Sequence, residues 1–286
     1  MIEPIKNNFL VPFDGTFRLD ERPTLDDRCD ADAKTSLRKS IKRISKLQRK
    51  LLAQDKFSLL LVFQAMDAAG KDSTIRAVMT GIDPTGCQVF SFKKPSKLEL
   101  DHDFLWRSAI NLPERGRIGI FNRSYYEEVL VVKVHPEILG YQRLPHVPET
   151  IWEDRYESIR DHEKHLSRNG TVILKFWLNV SQEEQHRRFL SRIDTQEKNW
   201  KFSHADLDES AHWPAYMAAY EQALNATSRP WAPWYAIPAD NKKCMRARVA
   251  EILLSTLETM PLAYPTLTPD DKAGLDEARK RLLIDS

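Results

Sequence analysis

Five apolar runs, at 59–63, 87–92, 118–121, 171–178 and 234–237, alternate with stretches of helical spacing through most of the 286-residue chain. The helical periods fall near 72–81, 99–109, 124–132, 149–168, 181–193, 208–225 and 243–258, where apolar residues recur every three or four positions. Strands separated by helices predict an α/β fold with a parallel sheet and helices on both faces. Ser181 with Glu184 three residues on marks a helix start just after the fourth run. Ahead of the first run, about 33–54, a long amphipathic helix carries Leu37, Ile41, Ile44, Leu47 and Leu51 on one stripe. Its other faces are basic, with Arg38, Lys39, Lys42, Arg43, Lys46, Arg49 and Lys50. They read first as a solvated surface and second as a polyanion-binding face.

The ends read differently. Residues 1–32 hold Pro4, Pro12, Gly15 and Pro23 among charges and suggest an irregular arm laid on the surface. Thr268-Pro269-Asp270-Asp271 starts a last helix with Leu275, Ala278 and Leu282 on one side. That segment, 261–286, is expected to pack on its own chain or on a neighbouring subunit. Between them, 33–260 reads as one catalytic domain with a lid over about 183–207.

The first strand runs into the most informative stretch, Ala65-Met66-Asp67-Ala68-Ala69-Gly70-Lys71-Asp72-Ser73-Thr74. An apolar strand, a small-residue loop ending in Gly-Lys and a polar helix start form the layout of a phosphate-gripping loop. Ala68, Ala69 and Gly70 would offer backbone groups, Asp72 and Ser73 would flank the anion at the helix start, and Lys71 would add a point charge. The pattern departs from G-x-x-x-x-G-K-[ST] at Ala65 and Asp72. Asp67 inside the loop would repel a phosphate, so it is expected to hold magnesium or orient an acceptor. Asp72 is better explained by the positive end of the helix dipole.

Three further clusters gather in the same layer. Ile118-Gly119-Ile120-Phe121-Asn122 resembles a Walker B strand with neutral Asn122 in place of the usual Asp. Arg123 then sits at the strand's carboxyl end, where such sheets bind ligands; a salt bridge to Glu127 or Glu128 is the competing explanation. Lys93 and Lys94 end the second strand and form a basic rim or a solvated turn. Arg188 and Arg192, four apart beside Arg187, share a helix face, and with Lys198 and Lys201 they read as a mobile lid closing over phosphates. Phe189 and Ile193 are expected to pack the other side.

Composition narrows the field. Hydrophobic content of 42% and charged content of 29% suit a globular enzyme-sized core, and the net charge of +2 hides the local basic clusters. No apolar stretch is long enough to span a bilayer, and Met1-Ile2-Glu3-Pro4 lacks a secretion signal's basic start and apolar run. Cys29, Cys87 and Cys244 are isolated in the sequence, odd in number and without metal spacing, so a reducing cytoplasm is the expected home. The eight histidines show no metal or triad spacing. Nucleic-acid binding has no motif behind it, although Trp106, Trp177 and Trp200 lie near basic residues.

Taken together, the loop 65–72, Gly86-Cys87-Gln88-Val89-Phe90-Ser91-Phe92-Lys93, Asp101-His102-Asp103-Phe104-Leu105-Trp106-Arg107, the run Pro113 to Glu128 and the lid stretches at 191–194 and 198–201 resemble the polyphosphate kinase 2 family over about residues 35–260. The resemblance implies a P-loop kinase fold with a helical lid. It also implies reversible, magnesium-dependent transfer of the terminal phosphate of inorganic polyphosphate to nucleotides, with manganese as an alternative ion. Asn122 and Ser-Tyr-Tyr-Glu-Glu look like the class III branch, which accepts AMP and ADP, with guanine nucleotides left open. Asp67, Lys71 and Arg123 would then be catalytic, Lys93, Lys94, Arg188, Arg192 and Lys201 would hold polyphosphate, and Asn122, Arg123 and Glu127 would face the nucleotide acceptor. Family members are commonly homo-oligomers, often tetramers; neither nucleic acid nor a membrane is implied as a partner. An ATP-using kinase of the same fold and a polyanion- or RNA-binding protein without turnover are the alternatives.

Overall fold

The structure, a computed structural model, describes residues 2–29 and 32–284. At its centre lie five parallel strands, β1 (Ser58–Gln64), β2 (Cys87–Ser91), β3 (Ile118–Asn122), β4 (Thr171–Asn179) and β5 (Trp234–Pro238). Their spatial order is β2-β3-β1-β4-β5. β1 and β5 are buried along their whole length, which is why they read as continuous apolar runs rather than alternating ones. β2 lies at the sheet edge and leaves Val89 half exposed.

The α-helices are α1 (Ala33–Gln54), α2 (Lys71–Met79), α3 (Lys97–Leu100), α4 (Trp106–Ala109), α5 (Val131–Val134), α6 (Ile151–Arg168), α7 (Gln182–Ile193), α8 (His204–Ala211), α9 (Trp213–Thr227), α10 (Lys242–Thr259) and α11 (Pro269–Ile284). Three expected helices are broken, the one near 208–225 at His212, between α8 and α9. The one near 99–109 splits into α3 and α4 because Asp103 Oδ1 accepts from Leu105 N at 2.9 Å, a local side-chain turn that restarts the chain. The one near 124–132 becomes a 3₁₀ turn, Tyr125–Val129, followed by α5, with Ser124 accepting from Tyr126 N at 3.2 Å.

α1 packs on α10 through its apolar stripe, with Ile44 and Leu51 fully buried. Its residue Gln48 is also buried, donating to Asp83 O at 2.9 Å and accepting from Asp83 N at 3.2 Å. The N-terminal segment does more than lie on the surface. Leu10 bridges Tyr235 in antiparallel fashion, Val11 N donates to Trp234 O at 2.9 Å, and Val11 and Phe17 are buried. The arm thus covers the open edge of β5, which would otherwise present unpaired backbone. At the other end α11 leaves Leu275 and Leu282 exposed.

The expectation of three isolated thiols is overturned. Cys29 and Cys244 form a disulfide across 215 positions, with Cα atoms 5.6 Å apart, and Cys87 is the free one. Sequence spacing carries no sign of it, because the fold brings the arm against the first turn of α10. Closing so long a loop restricts the unfolded chain and stabilises the fold by up to about 5 kcal/mol in the chain-entropy picture. A reductant should therefore lower the melting temperature of the wild type. Cys29→Ser should melt lower still without reductant and show no further response to it; a wild type indifferent to reductant would mean the bond is not formed in solution.

Candidate functional site

The crossovers change direction around β1, so the crevice of the sheet opens at the carboxyl ends of β1 and β3. Register fixes what meets there. Phe63 pairs with Asn122, and Arg123 N donates to Phe63 O at 3.0 Å. Arg123 is thereby set beside the loop that follows β1. That loop turns through Ala68 at φ 60° and Gly70 at φ 109°, a region that favours glycine. A Cβ on Gly70 would stand 3.4 Å from both Met245 Cε and Ser73 Oγ. The turn points the N-terminus of α2 into the crevice, where unpaired N–H groups and the helix dipole favour an anion.

The crevice encloses about 640 Å³ and is lined by nine cationic side chains and two carboxylates, Asp67 and Asp72. Ala68, Gly70, Lys71, Ser73, Lys93, Lys94, Asn122, Arg123, Arg188, Arg192 and Lys201 all contribute to its wall. Ala69 is buried behind it, and Glu127 stands behind Arg123 at 3.7 Å. So strong an excess of one sign focuses a positive potential in the crevice and suits a polyanion.

At the floor, Arg123 Nη2 donates to Asp67 Oδ1 at 2.8 Å. Lys71 Nζ curls back over the loop, donating to Ala65 O at 2.7 Å and Met66 O at 3.4 Å. Burial pushes the Asp67 carboxyl up, but the charges of Lys71 and then Arg123 outweigh it and hold it below its ordinary value. Lys71 moves down, because burial penalises its charge more than Asp67 supports it. Arg123 is driven up by Glu127 and Asp67 against its burial. Beside this group Asn122 Nδ2 donates to Asp72 Oδ1 at 2.6 Å and to Ser91 Oγ at 3.3 Å. Asp72 therefore has a definite partner besides the helix dipole.

Arg188 is not the mobile lid arginine that its spacing suggested. Its side chain is 5% exposed, and its donors are spent on Ala68 O, Ala69 O, Ala239 O, Asp240 O and Glu184 Oε1. The planar guanidinium braces the loop after β1 against the turn after β5. Glu184, one helical turn earlier, removes the like-charge cost that an anion was expected to relieve. Arg192 is separately held, by Asp206 Oδ2 at 3.0 Å and Lys201 O at 3.0 Å. Phe189 packs inward as expected, whereas Ile193 is half exposed.

Lys198, read with the lid in the sequence, lines the crevice, and so does Lys242, which was not among the sequence-based candidates. Lys242 opens α10 directly after the turn that follows β5, and a basic residue at that strand-to-helix junction was the available signal. Beneath the acceptor side lies a buried polar network that the sequence did not disclose. Glu163 accepts from Tyr125 OH at 2.9 Å, Tyr126 OH at 2.8 Å and Lys175 Nζ at 2.7 Å. Lys175 also donates to Tyr126 OH at 2.7 Å and Thr227 O at 2.9 Å. Three donors on the carboxylate and three acceptors on the ammonium identify a charged pair. Burial still draws Lys175 down to about 8, against the pull of Glu163.

Comparison with known proteins agrees with this geometry. A sequence model of the polyphosphate kinase 2 family matches residues 27–264. The chain is 54% identical over 250 residues to an ADP-polyphosphate phosphotransferase of Rhodopseudomonas palustris, covering 86% of each chain. It is 45% identical over 224 residues to an AMP/ADP-polyphosphate phosphotransferase of Meiothermus ruber, covering 78% of this chain and 80% of that one. The crystal structure of a polyphosphate kinase 2 from Arthrobacter aurescens superimposes with a TM-score of 0.85 at 36% identity, covering 95% of this chain and 94% of that one. With a matching five-stranded parallel sheet and matching sequence along most of its length, the chain belongs to the polyphosphate kinase 2 family.

Proposed function

We propose that this protein transfers the terminal phosphoryl group of inorganic polyphosphate to AMP and ADP, reversibly and by direct in-line attack. The observation that carries this reading is the crevice itself: nine cations against two carboxylates, gathered where a helix N-terminus and the loop 65–70 meet Arg123. An acceptor phosphate oxygen attacks the terminal phosphorus of the chain, the bridging P–O bond breaks, and its electrons leave on the shortened chain. The acceptor phosphate is largely deprotonated near neutral pH, its second pKa being about 6, so no general base is needed. What the protein must do is hold two mutually repelling anions in line.

Lys71 and the N-terminus of α2 are assigned to the donor's end, Lys93, Lys94, Arg192 and Lys201 to the chain's approach, and Arg123 with Asn122 to the acceptor. Arg188 and Glu127 support this set from behind. Among the described residues no cluster of three or more His, Cys, Asp or Glu side chains could hold a metal ion by itself. Asp67 and Asp72 with substrate phosphate oxygens and water fit magnesium, which is ordinarily bound through one or two carboxylates plus phosphates. When bound it would supply further neutralisation of the phosphate charges. The cytoplasm, which holds nucleotides, is the proposed location. Among the described residues no helix is long and apolar enough to cross a membrane. A homo-oligomer is the proposed assembly.

The test is a product assay with AMP and ADP as acceptors and polyphosphate as sole donor, in magnesium, with ATP as the competing donor for AMP. Formation of ADP and ATP from polyphosphate supports the reading; transfer from ATP alone would make the protein an ordinary nucleotide kinase, and saturable binding without conversion a polyanion-binding protein. Acceptor choice has its own test. Asn122→Asp would set a second carboxylate against Asp72, at a contact now 2.6 Å long, and so change the charge facing the acceptor. The AMP-to-ADP rate ratio should shift by about tenfold, a difference worth about 1.4 kcal/mol; an unchanged ratio removes Asn122 from the explanation.

A further inference from the structure

Beyond the crevice, α2 and α10 pack together, and cations follow along the seam between them, where Arg246 feels the charges of Arg76 and Arg188. Lys242 is in the crevice wall beside Gly70 and Ser73. Arg246 follows one turn later on α10, and Arg76 lies one turn past Ser73 on α2. The two helices are in direct contact at their first turns, where Thr74 Oγ1 meets Met245 Sδ at 3.8 Å. Arg246 Nε is buried and makes no hydrogen bond among the described residues, an arrangement that costs stability unless something answers it.

The nearby carboxylates are already committed. Glu184 is shared by Arg187 and Arg188 at 2.6 Å, and Asp240 Oδ1 accepts from Ser181 N at 2.8 Å. Burial, and after it the charges of Arg76 and Arg188, holds Arg246 below its ordinary value. Lys242 is held below its ordinary value by the loss of water around its partly covered ammonium and then by Arg188, with Glu184 opposing. Cations crowd here with too little negative charge between them.

We propose that the α2–α10 groove is a distal anion subsite, in which Lys242, Arg246 and Arg76 take phosphates of the donor chain remote from its reacting end. A row of cations spaced by helical turns suits an anion that repeats its charge at every unit. The inference rests on the polyphosphate reading of the crevice and extends it: a short donor ends at the loop, whereas a long one reaches the groove.

The test is the double variant Arg76→Gln/Arg246→Gln, compared with the wild type and with Lys272→Gln on exposed α11 as a charge control. KM is measured for tripolyphosphate and for long-chain polyphosphate, and binding of the long chain is measured without nucleotide. The double variant should raise the long-chain KM about tenfold, as expected for two partly exposed charge contacts, and leave the tripolyphosphate KM near the wild-type value. The slope of log affinity against log salt should fall by about 1 for each lost cation. If the double variant disturbs folding, exposed Arg76→Gln alone should show the same trend at about half the slope change. Equal long-chain affinity in wild type and variants overturns the subsite, whether or not the wild type turns polyphosphate over. Variant-sensitive long-chain binding in a wild type that makes no product would keep the subsite and overturn only the phosphotransfer reading.

Discussion

Lys71→Met is expected to lower kcat/KM for polyphosphate-driven transfer by about 10²–10³, the usual cost of removing one preorganised charge donor from a reacting site. The substitution keeps the aliphatic stem and deletes only the ammonium that now donates to Ala65 O and Met66 O. Asp67 would lose the largest of the charges that offset its burial and keep Arg123 as its partner. The fold should survive, because a buried cation is given up rather than created. Circular dichroism and a thermal melt check that point beside the kinetics. A folded variant retaining most of the wild-type kcat/KM would contradict the role given to Lys71.

The second large effect is on stability. Glu163→Leu should destabilise the protein by about 3–5 kcal/mol, since it strands Lys175 as an uncompensated charge in the core. In a chain of this size that corresponds to a fall in melting temperature of about 10 °C. It also leaves Tyr125 OH without its acceptor. Adding Lys175→Met to Glu163→Leu should recover part of the loss, because the stranded charge goes with it. Should the single variant melt within a degree or two of the wild type, the pair is not the ion pair that its five hydrogen-bonding contacts describe. Tyr125 and Tyr126 lie two and three positions after Arg123, so the network also fixes the turn from which Arg123 reaches Asp67.

The sequence reading and the structure part company for identifiable reasons. The five strands emerge within a residue or two of the apolar runs, because burial on both faces leaves a continuous apolar signal in the chain. The loop 65–70 was equally legible, since strand, small residues, Gly-Lys and helix start are all local. Arg188 was misjudged because a spacing of four residues shows which side chains share a face, and nothing about what that face meets. Its partners at Ala68, Ala69, Ala239 and Asp240 lie about 50 to 120 positions away. A still longer separation, 215 positions, hid the Cys29–Cys244 bond.

What the chain by itself determined is the set of elements, their parallel arrangement and the cationic character of the loop region, all of which follow from periodicity and local composition. Folding decided which cations face the crevice and which are spent as braces. It also decided that the N-terminal arm closes the edge of β5, and that Glu163 and Lys175 meet in the core. Those outcomes depend on contacts between residues far apart in sequence. A side chain's role there is set by what the fold places opposite it, a quantity no local pattern records.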